Sequence, residues 1–149
     1  MSLSRWVGHY AGGDLMIFVV VATSGVLAFG AQWRSLLAFW IAVLATQVTT
    51  YVGKQLIPRP RPWAEGDVGA SSSSFPSAHA ASAMVIWGMA GYVIGRNLQG
   101  LPRISVLAIG VIILLIATSL VLRNVHYPTD VAAGLLIGLF WLLVGIAAS

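Results

Sequence analysis

The chain has no cysteine, and only four of its 149 residues are acidic. The first absence excludes disulfides, thiolate metal sites and cysteine nucleophiles. Charge of either sign is scarce: 8% of residues are charged against 58% hydrophobic, and mean hydropathy is +0.90. A chain this apolar cannot cover its surface with polar groups in water, so part of its solvent must be lipid. The same composition excludes intrinsic disorder. The net charge of +4 comes from cations at the ends of apolar segments. There they meet lipid headgroups or an anionic substrate rather than nucleic acid. The N-terminus shows no cleavable signal peptide, since Arg5 and Gly12-Gly13-Asp14 frame no short apolar core ending in small residues.

What is present is a set of long apolar stretches, at residues 14–30, 35–57, 77–95, 103–123 and 128–148. A bilayer core of about 30 Å needs roughly 20 mostly apolar residues per helix. Helices satisfy their own backbone in lipid, and no barrel-like alternation is visible. The expected fold is therefore all-α: one domain over residues 1–149, a transmembrane bundle of about five helices. An interfacial segment at residues 1–12 precedes it, with Arg5, Trp6, His9 and Tyr10 at headgroup depth. Gly91 with Gly95 and Gly134 with Gly138 have the spacing that lets helix backbones approach closely. No long-period repeat is evident.

The connections are unequal. Residues 32–34 and 96–102 are short and basic, whereas 58–76 is long and rich in Pro, Ser and Gly. A loop of that length is expected to be functional. Five crossings put it on one membrane face with the 123–127 turn and the N-terminus. On that face lie Lys54, Arg59, Arg61, Ser77, His79, Arg123, His126 and Asp130.

Taken singly, each has a structural explanation. Lys54 and Arg61 suit snorkelling anchors, and Ser77 suits a helix N-cap. Glu65 and Asp67 read as solvated loop charges, Ser71–Ser74 as a spacer, and Arg34, Arg96 and Arg103 as topology determinants on the other face. Together, however, so many ionisable groups at one membrane edge point to function. Lysine offers a point charge, arginine a fork of donors, and a helix start offers free N–H groups. A phosphate fits that set. In His126-Tyr-Pro-Thr-Asp130, Pro128 suits a first helical turn that brings Asp130 back to His126. A carboxylate on one imidazole nitrogen leaves the other as nucleophile or base. His79 supplies a second imidazole, so one histidine can attack phosphorus while the other protonates the leaving oxygen.

Three ordered motifs carry a resemblance. Lys54 to Arg61-Pro62 matches K-x6-R-P, Pro76-Ser77-Ala78-His79 resembles P-S-G-H, and Ser119 to Asp130 resembles S-R-x5-H-x3-D. The set resembles the signature of the type 2 phosphatidic acid phosphatase superfamily, which includes membrane lipid phosphatases and prenyl diphosphate phosphatases. The resemblance implies that Lys54, Arg61, Ser77 and the backbone at Ala78 bind phosphate. It implies His126 as the nucleophile that becomes phosphohistidine, Asp130 as its orienting group and His79 as general acid. It implies no metal and no cofactor.

Two positions depart from the pattern. Ala78 replaces a glycine, and Leu120 stands where the third motif has arginine. Arg123, one helical turn later on roughly the same face, is expected to supply the missing cation. Five spans also fall short of the family's usual six: either residues 1–12 replace the first, or the chain is a minimal member.

The expected function is a metal-independent membrane hydrolase of a lipid phosphate or diphosphate: polyprenyl diphosphate, phosphatidate or phosphatidylglycerophosphate. Prenyl diphosphate or broad specificity is favoured, because little extramembrane mass exists to read a headgroup. Its partners are the lipid substrate and membrane lipids. The alternatives are a lipid phosphotransferase with the same site, a non-catalytic lipid-binding protein because of Leu120, and lastly a haloperoxidase, a class that is soluble and much longer. Leaving out Lys54, Arg61 and Arg123 as site residues, the remaining cations favour the opposite face. The positive-inside rule then places the site on the extracytoplasmic side, and the expected location is the plasma membrane.

Overall fold

A computed structural model of the chain describes residues 14–62, 73–97 and 102–149. The expected interfacial segment at residues 1–12, with Glu65, Asp67, Ser71 and Ser72, lies outside these. Among the described residues there are five helices and no strand: α1 Leu15–Phe29, α2 Trp33–Leu56, α3 Ala78–Asn97, α4 Pro102–Leu122 and α5 Pro128–Ala148. Of these, α2, α3 and α5 are long and apolar enough to cross a membrane, and α1 is a shorter apolar helix of 15 residues.

The distribution of side chains is that of a protein solvated by lipid. Phe18, Phe29, Leu107 and Leu122 point outward. The interior combines small residues and hydroxyls, among them Ala42, Ala80, Ala81, Ala83, Thr46 and Thr50, with large apolar side chains such as Leu27, Phe39 and Met89. Two of the buried hydroxyls are satisfied within their own helix: Thr46 Oγ1 donates to Ala42 O at 2.8 Å and Thr50 Oγ1 to Thr46 O at 3.0 Å.

Helix α3 is the central post and packs against all four others, most extensively against α5. The reason is steric. At Gly134 and Gly138 the α5 backbone lies directly against the carbonyls of Ser77 and Ala81, where no Cβ would fit. This contact brings the start of α5 beside the start of α3. At the far end, Arg96 hydrogen-bonds Gln32 and donates to Ser35 Oγ at 3.1 Å, while Gln32 Nε2 donates to Asn97 Oδ1 at 3.0 Å. Arg96, expected as a topology determinant, thus also clamps the α1–α2 turn to the end of α3.

Gly134→Ala and Gly138→Ala should each destabilise the bundle by about 1–3 kcal/mol, because overpacking forces two backbones apart. Gly25→Ala and Gly110→Ala, where a Cβ meets nothing within 4 Å, should leave the unfolding midpoint in detergent unchanged.

Candidate active site

Four chain segments converge on one face: the end of α2 with Ile57–Pro62, the stretch Ser73–Ser77, the turn after α4, and the start of α5. The first two are stapled together. Ser74 N donates to Arg59 O at 2.8 Å and Ser74 Oγ to Pro60 O at 3.1 Å. In return, Arg59 N donates to Ser73 Oγ at 3.0 Å, and that hydroxyl bonds to Ile57 O at 3.0 Å. Ser73 and Ser74 are completely buried.

This staple leaves two backbone carbonyls pointing inward. Ser73 O accepts a hydrogen bond from Lys54 Nζ, and Ser74 O lies 2.8 Å from His126 Nδ1. A carbonyl only accepts, so Nδ1 carries the proton and Nε2 carries the ring's lone pair. His126 is 3% exposed. Burial, and next the charge of Arg61, lower its pKa from 6.5 to about 4. The ring is therefore neutral at neutral pH, as a nucleophile must be.

The turn that presents His126 has its own local cause. Asn124 adopts φ 55°, a left-handed conformation that asparagine tolerates at a helix C-terminus. Beyond it, Val125 O accepts a hydrogen bond from Arg61 Nη1 at 3.3 Å, which holds that guanidinium beside the turn.

Asp130 is placed otherwise than the spacing suggested. Its Oδ2 is 3.7 Å from His126 Nδ1, beyond hydrogen-bond length, and accepts from Tyr127 N at 2.9 Å instead. Its Oδ1 pairs with Arg59 Nη1 at 2.7 Å. Arg59 also donates to Thr129 Oγ1 at 2.7 Å and lies over the Tyr127 ring, 4.0 Å from its centroid. The tautomer of His126 is held by the Ser74 carbonyl, with Asp130 a nearby negative charge. Arg59, one cation among several in the sequence, is the charge partner of that carboxylate.

Ser77 is fully buried; its hydroxyl accepts from Ala80 N at 3.4 Å, and its N–H donates to Asp130 O at 3.0 Å. The residue caps α3 and joins it to α5. Ala78 begins α3 and His79 follows, exposed, with the charges of Arg61, Lys54 and Arg123 all acting on it. Leu120 is 6% exposed and packs with Ala80, Ala117 and Val131. Its position faces the apolar interior, while Arg123 is half-buried just past the end of α4.

Below His79 a groove of about 500 Å³ opens between α1, α2 and α3. Met16, Val20, Trp40, Val43 and Ile86 give it apolar walls, and His79, Ser82 and Gln47 are its polar lining. Among the described residues no group of His, Asp and Glu side chains could hold a metal ion.

The family model of the PAP2 superfamily matches residues 35–149. The chain belongs to this superfamily. It is 32% identical over 142 residues to phosphatidylglycerophosphatase B of Bacillus subtilis, covering 91% of this chain and 68% of the relative. It is 33% identical over 138 residues to decaprenylphosphoryl-5-phosphoribose phosphatase of Mycolicibacterium smegmatis, covering 89% and 68%. The fold matches the crystal structure of a transmembrane PAP2-type phosphatidylglycerolphosphate phosphatase from Bacillus subtilis with TM-score 0.83 and 25% identity, over 97% of this chain and 74% of that one. With its apolar helices and this transmembrane PAP2 neighbour, the chain is an integral membrane protein.

The sequence held no sign of Ser73 and Ser74, because their inward-facing groups are backbone carbonyls that any residue carries. Heteronuclear NMR of ring-labelled histidine should show His126 as the neutral Nδ1–H tautomer across neutral pH, charging only near about pH 4. A midpoint at the ordinary value of about 6.5 would contradict the burial described here.

Proposed function

We propose that this PAP2 protein hydrolyses a lipid phosphate or diphosphate through a phosphohistidine on His126. The observation that carries this reading is the His126 ring itself: buried and neutral, with Nδ1 occupied by the Ser74 carbonyl and Nε2 left as the basic nitrogen. Lys54, Arg61 and Arg123 balance the charge of the bound phosphoryl group, and the first N–H groups of α3, at Ala78 and His79, add donors at a helix start.

In the first step Nε2 of His126 attacks phosphorus, and the bond from phosphorus to the leaving oxygen breaks. His79 gives that oxygen a proton. In the second step His79 takes a proton from water as the water oxygen attacks the phosphohistidine, releasing inorganic phosphate and restoring Nε2. A monophosphate substrate leaves an alcohol, and a diphosphate leaves a lipid monophosphate. Asp130 stabilises the positive charge that develops on His126 in the first step. No step needs a metal.

The groove below His79 supports a lipid as the substrate. An apolar tail lying between α1, α2 and α3 holds the phosphoryl group within reach of His126, so that binding energy becomes proximity. The names of the relatives cover one glycerolipid phosphate and one polyprenyl phosphate, and both tail types are compatible with apolar walls. Arg59 is occupied by Asp130, so the cations left to govern topology favour the opposite face. This supports a plasma-membrane protein with an extracytoplasmic site.

Purified protein should release inorganic phosphate from phosphatidate or a prenyl diphosphate with EDTA present, and His126→Ala should abolish it. Arg123→Ala should reduce kcat/KM by about 10²-fold, the usual effect of removing one preorganised donor. Full activity in His126→Ala would overturn the mechanism. Transfer of the phosphoryl group to an added alcohol in preference to water would identify a phosphotransferase instead.

A further inference from the structure

The groove is not uniformly apolar. Gln47 of α2 is exposed within it, and its one hydrogen bond among the described residues runs from Nε2 to Ser82 Oγ of α3, at 3.3 Å. Ser82 lies three residues beyond His79 on the same face, which at the helical rise puts it about 4.5 Å deeper in the membrane. Gln47 lies seven residues before Lys54, about 10 Å deeper along α2. An amide in hydrocarbon with donor and acceptor capacity left over is costly, on the order of several kcal/mol. Thr46 and Thr50 of the same helix satisfy their hydroxyls on its own backbone. Gln47 instead directs its amide at the place where a lipid would lie just below its phosphate.

We propose that Gln47 and Ser82 form a specificity-determining pair that hydrogen-bonds the ester carbonyls of a glycerolipid phosphate. This rests on the phosphatase reading above and narrows it. With the phosphoryl group at Lys54, Arg61 and His126, the glycerol unit descends past His79, and its ester carbonyls come level with Ser82 and Gln47. The spare N–H of Gln47 is a donor for such a carbonyl. A prenyl chain has only hydrocarbon at that depth, so it leaves the amide without a ligand partner and gains nothing from it. The pair therefore favours diacylglycerol phosphates over prenyl phosphates, against the preference that the small extramembrane mass suggested.

The test uses the full chain in detergent micelles with three substrates: a diacyl phosphatidate, the dialkyl ether lipid that differs only in lacking both carbonyls, and a prenyl diphosphate. Wild-type protein should favour the ester over the ether lipid by about three- to tenfold in kcat/KM, the size of one or two net hydrogen bonds, with the difference lying in KM. Gln47→Leu and, independently, Ser82→Ala should bring that ratio close to one. A purely structural pair would lower the unfolding midpoint and slow all three substrates alike, leaving the ester-to-ether ratio unchanged, and that result overturns the proposal. So does equal turnover of ester and ether lipids by the wild-type protein. Release of phosphate from none of the three would overturn the phosphatase reading itself.

Discussion

A carboxylate with no exposed surface at the edge of a membrane can persist only if a positive charge and hydrogen-bond donors come with it. Asp130 is that carboxylate, and much of the site is arranged around it. Arg59 neutralises one oxygen from the loop after α2, and Tyr127 N–H occupies the other from the turn before α5. The Asp130 main-chain carbonyl receives Ser77 N–H from the start of α3. Three elements distant in sequence are thereby fixed to one residue. Removing one partner of such a pair typically costs about 3–5 kcal/mol, because the other charge stays buried. The same Arg59 segment grips Ser73 and Ser74, so the carbonyls that hold Lys54 and His126 depend indirectly on the ion pair.

Packing and chemistry share this junction. Gly134 follows Asp130 by one turn and lets α5 touch the Ser77 carbonyl, which seats α3 and His79 beside the histidine turn. Leu120 lies behind that turn in an apolar cluster. Arg123, past the end of α4, is on the side where its charge acts on His79. On the function proposed above, Arg123 supplies its cation from one turn later, while the Leu120 position is part of the core.

The helices were legible because lipid demands long apolar runs, and the observed bounds differ from the expected ones by a few residues. The converging polar residues Lys54, Arg61, His79, His126 and Asp130 were legible too, since charge is conspicuous in so apolar a chain. The partnerships among them were less so. Four-residue spacing suggested that Asp130 would bond His126, yet Arg59, distant in sequence, takes the carboxylate and a serine carbonyl takes the imidazole. Backbone acceptors leave no mark in a sequence. Gln47 was equally silent, as one amide inside an apolar run whose meaning depends on the groove it lines.

The central claim is that a neutral, buried His126 attacks phosphorus from Nε2. Rapid quenching of the full-length protein during turnover of a radiolabelled lipid phosphate tests it most directly. The account predicts an acid-labile, alkali-stable phosphoprotein whose label maps to His126 and is lost in His126→Ala. Turnover that proceeds with the label on another residue would contradict it.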